Sequence, residues 1–296
     1  MADKNGGVLS PVELSQVVAE NYNNLTKSER RIADYLIKNR DEAAFLSAAE
    51  IAKRLDLSEA TMVRFARSLD FESYPAFRIV LQDAFRRRVT HSSRLRSRLN
   101  ELRDTGDMFE RLVASEIEYL TQALETVDRS ELNRAVELLR THQRVFVFGM
   151  GPSVSLVDLL EMRLTRSARH VIPLKTSGRE TLEPLLLMDG DDLLIAIGFN
   201  NLTPNLQLVL EHANKVKAPV ILITDTLEPM VSDQVDVFLT AHRGPVSAYH
   251  SLTVPMTIIN TLLLMLSQVD EARVMPNLDT LDAYRQRQIE IIAKSL

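Results

Sequence analysis

Residues 47–71 read SAAEIAKRLDLSEATMVRFARSLDF. Two short helices joined by a tight turn are legible in them. Ser47 precedes Glu50 by three positions, the spacing of a capping box: the serine hydroxyl takes the amide of the third helical residue, and the glutamate reaches back. Ile51, Ala52 and Leu55 form the apolar stripe behind this cap. Asp56-Leu57 breaks the run, and Ser58 is placed to cap a second helix whose Met62, Phe65, Ala66 and Leu69 share one face. Two such helices joined by about three residues have helix-turn-helix dimensions. With the stripe turned to the core, the outward side of the second helix is expected to show Glu59, Ala60, Thr61, Arg64, Arg67 and Ser68. In this motif the second helix enters the major groove, its early residues reach base edges, and arginine suits a guanine edge or a phosphate. Ser58, Glu59, Thr61 and Arg64 are therefore expected near bases, with Lys53 and Arg67 nearer the backbone. The plainer alternative is a three-helix bundle with a solvated basic face.

Upstream, Thr26 and Glu29 form a second capping box, followed by an apolar face of Ile32, Ala33, Leu36 and Ile37. Charge agrees with an anionic partner for this half. Residues 1–100 carry 17 basic against 13 acidic side chains, although the whole chain has a net charge of −5. From Ala84 to Asn100 there are six arginines and no acid, the composition of a solvated connector or of a phosphate-contacting arm. The expected division is an all-α unit over residues 1–85, an arginine-rich linker over 86–106 and a second unit over 107–296.

That second unit opens with two helices, Asp107 to Thr126 and Ser130 to Arg140, the latter expected to be capped by Ser130. The pattern then changes to apolar strands alternating with helices: VFVFG (145–149), HVIPL (170–174), DLLIAIGF (192–199), PVILIT (219–224) and VDVFLTA (235–241). Continuous apolar strands spaced by helices predict an α/β fold with a five-stranded parallel sheet covered on both faces. Ligands in such sheets bind beyond the carboxyl ends of the strands. After the first strand, Gly149-Met150-Gly151-Pro152-Ser153 offers close backbone approach and a helix N-terminus. A nicotinamide-binding fingerprint fits poorly, because the third glycine and the acidic residue after the second strand are missing. After the second strand, Arg179 could pair with a carboxylate, or be a surface residue at a helix start. Asp189-Gly190-Asp191-Asp192 has the look of a metal-binding turn and equally of the ordinary turn before a buried strand.

The chain has no cysteine, which excludes disulfides and thiolate metal sites. No cofactor or metal site is expected. No apolar stretch suits a signal peptide or a bilayer span, so the cytoplasm is the expected compartment.

The phrase from Ser47 to Phe71 resembles the helix-turn-helix of the RpiR/MurR family of bacterial regulators through Ile51-Ala52, Leu55, Leu57-Ser58, Ala60-Thr61, Val63-Arg64-Phe65, Arg67, Leu69 and Phe71. The family's glycine before that phenylalanine is Asp70 here, and a second, shortly after, is Ser73. The second half resembles the SIS (sugar isomerase) domain that follows in these regulators. The resemblance implies a first loop of GxGxS character, matched by Gly149, Gly151 and Ser153. It also implies a phosphate-wrapping S-x-S-G-x-T loop after the third strand. Here that loop reads Gly198-Phe199-Asn200-Asn201-Leu202-Thr203: both serines are replaced, and Asn201 takes the glycine position, where it tolerates positive φ. Asn200 both donates and accepts, which suits a mixed polar ligand better than a dianion. His250 could reach the pocket in a dimer, as residues of that segment do in SIS enzymes, or be a structural histidine. The family implies a transcriptional regulator, not an enzyme, that binds double-stranded operator DNA as a homodimer or homotetramer. It implies a small-molecule effector, a phosphosugar or, given the altered loop, a carboxylate or amide. Two alternatives stand beside it. One is a sugar-phosphate isomerase, for which Glu180, Glu183 and His250 are the only acid–base groups; the other is a DNA-binding protein whose second unit only dimerises.

Overall fold

The fold is taken from a computed structural model that describes residues 21–39, 43–44, 46–88, 92, 95–96, 98–99, 107–175, 182–244 and 250–295. The chain forms two compact units that divide between residues 105 and 106.

In the first unit, helices α1 (Lys27–Lys38), α2 (Ala48–Leu55), α3 (Glu59–Ser68) and α4 (Tyr74–Arg88) surround one apolar core. Both capping boxes form, at Thr26/Glu29 and Ser47/Glu50. The turn after α2 depends on Asp56, which adopts φ 52° and returns its amide to Ala52 and Lys53. Aspartate tolerates this left-handed geometry better than most side chains. Ile32, Ile51, Met62, Phe65 and Phe77 are fully buried, and the Phe65 and Phe77 rings meet edge to face at 5.6 Å. Asp70, in place of the expected glycine, takes φ 65°, so the turn keeps its left-handed step without glycine. Ser73, the second replacement, accepts the Ala76 amide at the start of α4. Helix α4 continues to Arg88, past the boundary that composition placed at residue 85.

The second unit begins with α5 (Met108–Thr126) and α6 (Arg129–Thr141). The cap of α6 is Asp128 rather than Ser130. Its carboxylate accepts the Ser130 amide at 2.7 Å and the Ser130 hydroxyl at 2.6 Å, and an aspartate one residue before the helix meets the exposed amides better. Strands β1 (Arg144–Gly149), β2 (His170–Leu174), β3 (Leu193–Ile197), β4 (Val220–Thr224) and β5 (Val237–Thr240) follow. Helix α7 (Val154–Arg166) joins β1 to β2, α8 (Pro204–Val216) joins β3 to β4, and α9 (Glu228–Val231) lies between β4 and β5. The chain closes with α10 (Thr253–Val269) and α11 (Glu271–Ser295).

All pairings are parallel, in the order β2-β1-β3-β4-β5. Every residue of β3 and β4 is buried, and alternate side chains serve two separate cores. Val145, Val147, Ile195 and Ile223 pack under α6, α7 and α10; Phe146, Phe148, Leu194 and Leu222 pack under α8. The connection runs from β1 outward to β2 and returns past β1 to β3, which places the topological switch point between β1 and β3.

At the opposite end of the sheet, Arg144 bridges Asp189 at 2.8 Å and Asp192, whose carboxylate also accepts the Asp189 amide at 2.7 Å. The acidic turn is thus a clamp for Arg144. A second tie is Arg169, whose side chain is fully buried. It donates to the carbonyls of Leu139 and Ser167 and pairs with Asp270 at 2.6 Å, joining the ends of α6, α7 and α10.

Replacing Arg169 with alanine removes the donor to two helix-end carbonyls and leaves Asp270 with only the longer Arg273 contact at 3.7 Å. The expected loss is about 3–5 kcal/mol, as for other broken buried ion pairs. Urea unfolding of the full chain checks it: the transition of the second unit should move to lower urea while that of the first stays put.

Candidate functional site

Helix α3 is held against α1 by Glu29. This buried carboxylate accepts the Ser68 hydroxyl at 2.7 Å on one oxygen and the Thr26 amide and hydroxyl at 2.9 and 2.7 Å on the other. Burial works against its ionised form, but these hydrogen bonds and the nearby Arg64 outweigh it and hold the group below the usual glutamate range. The outward surface then presents Lys53, Ser58, Glu59, Arg64 and Arg67, all exposed.

Thr61 is different. It is buried, and its hydroxyl lies 2.9 Å from that of Ser58 and accepts from Arg64 at 3.2 Å. The expectation that Thr61 faces outward is corrected: at the first turn its side chain points back along the helix and under Ser58 and Arg64. The Ser58 hydroxyl, engaged there, makes no cap hydrogen bond to α3.

The second site lies at the carboxyl ends of the strands. Gly149 and Ile197 are register partners at the ends of β1 and β3, so the loops that follow flank the switch point. A Cβ at Gly149 would meet Val157 Cγ2 at 2.7 Å, so the glycine is needed for α7 to pack against the strand. Gly151 takes φ 58° with open space beside it, and Ser153 is buried just before α7. Asn205 Nδ2 reaches Met150 Sδ at 3.3 Å and ties the first loop to the start of α8.

In the loop after β3 the positive φ falls on Asn200, at 60°, and not on Asn201, where sequence placed it. The shift by one residue turns the Asn200 amide inward. Its backbone N–H donates to Asp225 Oδ1 at 2.9 Å, and its side chain bridges Asp225 Oδ2 at 3.1 Å and Arg243 at 3.0 Å. Asn201 and Thr203 are exposed. The Thr203 hydroxyl accepts the Leu206 amide at 3.2 Å as the cap of α8, and Pro204 follows it. A Cβ at Gly198 would run into the side chain of Leu206, which fills the space where a serine would stand.

Sequence reading missed the centre of this site. Asp225, just after β4, and Arg243, just after β5, form an ion pair at 2.9 Å with side chains only 8% and 7% exposed. The Arg243 guanidinium also lies 3.8 Å from the centre of the Phe199 ring, a cation–π contact in a desolvated place. Applying the strand-end rule to β4 and β5 as well as to β1–β3 would have singled out both residues. Within the chain, His250 Nδ1 lies 3.3 Å from the side-chain amide of Asn200. Arg179 and Glu180 lie outside the described residues, and Glu183 is exposed in a short 3-10 turn. Among the described residues no cluster could hold a metal ion, and no helix is long and apolar enough to cross a membrane.

Comparison with known proteins divides the chain as the fold does. Residues 12–88 match the helix-turn-helix domain of the rpiR family, and residues 138–265 match the SIS domain. The HTH-type transcriptional regulator HexR of Escherichia coli is 28% identical over 213 residues, 71% of either chain. An uncharacterised HTH-type transcriptional regulator of Haemophilus influenzae is 25% identical over 239 residues, 80% of either chain. Among solved structures, the Vibrio vulnificus NanR protein complexed with ManNAc-6P is similar in fold over 92% of this chain and 98% of that one, with TM-score 0.58 and 22% identity.

Two outcomes follow from this geometry. Stability contributed by ionised Glu29 is fully present above the ordinary glutamate value of 4.5 and is lost as pH falls through its lower folded-state value. Thermal melts of the first unit should therefore fall on acidification in that window, and Glu29→Gln should flatten the dependence. At the strand ends, Arg243→Met leaves Asp225 buried and uncompensated, at an expected cost of about 3–5 kcal/mol. Adding Asp225→Asn should restore much of the loss in a double-mutant cycle followed by denaturant unfolding.

Proposed function

Because the chain belongs to the RpiR family of helix-turn-helix regulators, we propose that it represses or activates transcription by binding double-stranded operator DNA through α3, under the control of a small polar metabolite held at the strand ends of its second unit. The observation that carries the DNA reading is the surface of α3. A helix fixed by its own core and by Glu29 shows Arg64 and Arg67, with Ser58, Glu59 and Lys53 around them. In the proposed arrangement Ser58, Glu59 and Arg64 read base edges, Thr61 orients Arg64 from beneath, and Lys53 and Arg67 hold phosphates. The DNA-reading unit is proposed to run from residue 1 to the end of α4 at Arg88, with the linker following it to residue 106 and the effector unit over 107–296.

The effector site is proposed to comprise Gly149, Gly151 and Ser153 on one side of the switch point and Asn200, Asn201, Thr203 and His250 on the other, with Arg179 from the loop after β2. NanR is complexed with ManNAc-6P, which makes a sugar phosphate the first class to test. The local chemistry favours a less charged ligand. The Thr203 hydroxyl is already used as a cap, Leu206 fills the space beside Gly198, and Asn200 is engaged with the Asp225–Arg243 pair. A regulator that reads two half-sites needs two copies, and a homodimer, or a tetramer built from it, is the proposed assembly.

The test is fluorescence anisotropy on DNA from upstream of the protein's own coding sequence, titrated with phosphosugars and small carboxylates. Arg64→Ala should weaken binding to that DNA by about 10- to 100-fold, the worth of one good base contact. Lys53→Ala should instead weaken specific and nonspecific DNA alike and reduce the salt slope. If none of the metabolites shifts affinity, the effector reading fails and the second unit is a dimerisation scaffold.

A further inference from the structure

Three polar side chains at the start of α3 are linked in series. Arg64 Nη2 donates to the Thr61 hydroxyl at 3.2 Å, and that hydroxyl lies 2.9 Å from the hydroxyl of Ser58. Ser58 and Arg64 are exposed, whereas Thr61 between them is buried. The two ends of the series fix which way its protons point. A guanidinium has no lone pair to offer, so Arg64 donates and Thr61 accepts. Thr61 must then place its own proton, because a buried donor left unmade is costly. Among the described residues the other hydrogen-bond partner of its hydroxyl is Ser58, so Thr61 donates to Ser58. The Ser58 oxygen is thereby engaged on its inner side, and its proton is left to point outward. The series runs from Arg64 through Thr61 to Ser58 and ends in a donor.

Two consequences follow for what this surface can recognise. The Arg64 guanidinium is drawn back over the first turn of α3 and held there by one of its five N–H groups, so it does not sweep the surface freely. The outward face at this point also carries donors only: the remaining N–H groups of Arg64 and the O–H of Ser58. In the major groove the bases differ in this respect. Guanine offers two neighbouring acceptors, N7 and O6; adenine sets a donor beside its N7; thymine has one acceptor beside a methyl group, and cytosine a donor. A fixed fork of donors therefore matches guanine. A phosphate accepts as well, but Glu59, exposed in the same turn, adds negative charge where the phosphate would have to lie. Building on the reading that α3 binds operator DNA, we propose that Thr61 is the positioning residue that makes Arg64 a guanine reader. Each half-site then carries a guanine whose N7 and O6 accept from Arg64, while Ser58 donates to an acceptor beside it.

The full-length chain is first used to select sites from a pool of random DNA duplexes, and the selected site is then altered one base at a time in fluorescence anisotropy. The site should hold a fixed guanine at which adenine weakens binding by about 10- to 100-fold. At that position 7-deazaguanine, which lacks the N7 acceptor, should also weaken binding, whereas hypoxanthine, which keeps N7 and O6, should bind like guanine. Thr61→Val keeps the shape of the side chain without its hydroxyl and should collapse the preference for guanine over adenine; Thr61→Ser should restore it. A defect of folding lowers both affinities together and leaves their ratio alone. Arg64→Lys, at an exposed position, keeps the charge but not the planar fork, and should lose the same preference. Selected sites without such a guanine, or a Thr61→Val chain that keeps its full preference, overturn the proposal while the DNA reading stands. A chain that binds no duplex even at low salt overturns both.

Discussion

The parallel sheet is buried on both faces, and that constraint decides where everything else in the second unit can be. With every position of β3 and β4 buried and all but the terminal Thr224 apolar, no polar group can work within the sheet. Charge is confined to the two ends. At one end, Arg144 satisfies the acidic turn before β3; at the other, Asp225 and Arg243 close over Asn200. The first of these holds the sheet together, and the second lies beyond the ends of β4 and β5, beside the loop after β3. The same topology that excludes chemistry from the core thus leaves it to the strand ends.

The strand-end cluster differs in kind from a phosphate cradle. A cradle offers several uncommitted donors to a dianion. Here the Asn200 backbone N–H and the Arg243 guanidinium both donate to Asp225, the latter above the Phe199 ring, while the Thr203 hydroxyl accepts the Leu206 amide in the first turn of α8. A buried ion pair contributes little net stability against an apolar replacement, but breaking one partner is costly. The arrangement therefore resists partial change, and it links three strand ends with the segment that leads into α10.

The first unit works on other terms. Its helices are short, and the starts of α1, α2 and α4 are secured by side chains within a few residues, so most of what makes them helical is local. What is not local is the orientation of α3. That depends on Glu29 of α1, which is at once the end of a capping box and the acceptor for Ser68, thirty-nine positions away.

This division explains what the sequence could disclose by itself. The two capping boxes, the core stripe of α3, the five strands and the alternation of strands with helices are local patterns, set by hydrogen bonding and periodicity over a few residues. They were legible in Thr26/Glu29, in Ser47/Glu50, in Met62 and Phe65, and in strands such as VFVFG. Tertiary structure alone decided the rest. It moved the left-handed residue from Asn201 to Asn200, and brought Asn200, Asp225, Arg243 and His250 together beyond the ends of three strands. Each of these follows from contacts between residues far apart in the chain, and the energy of such contacts appears in no window of neighbouring residues.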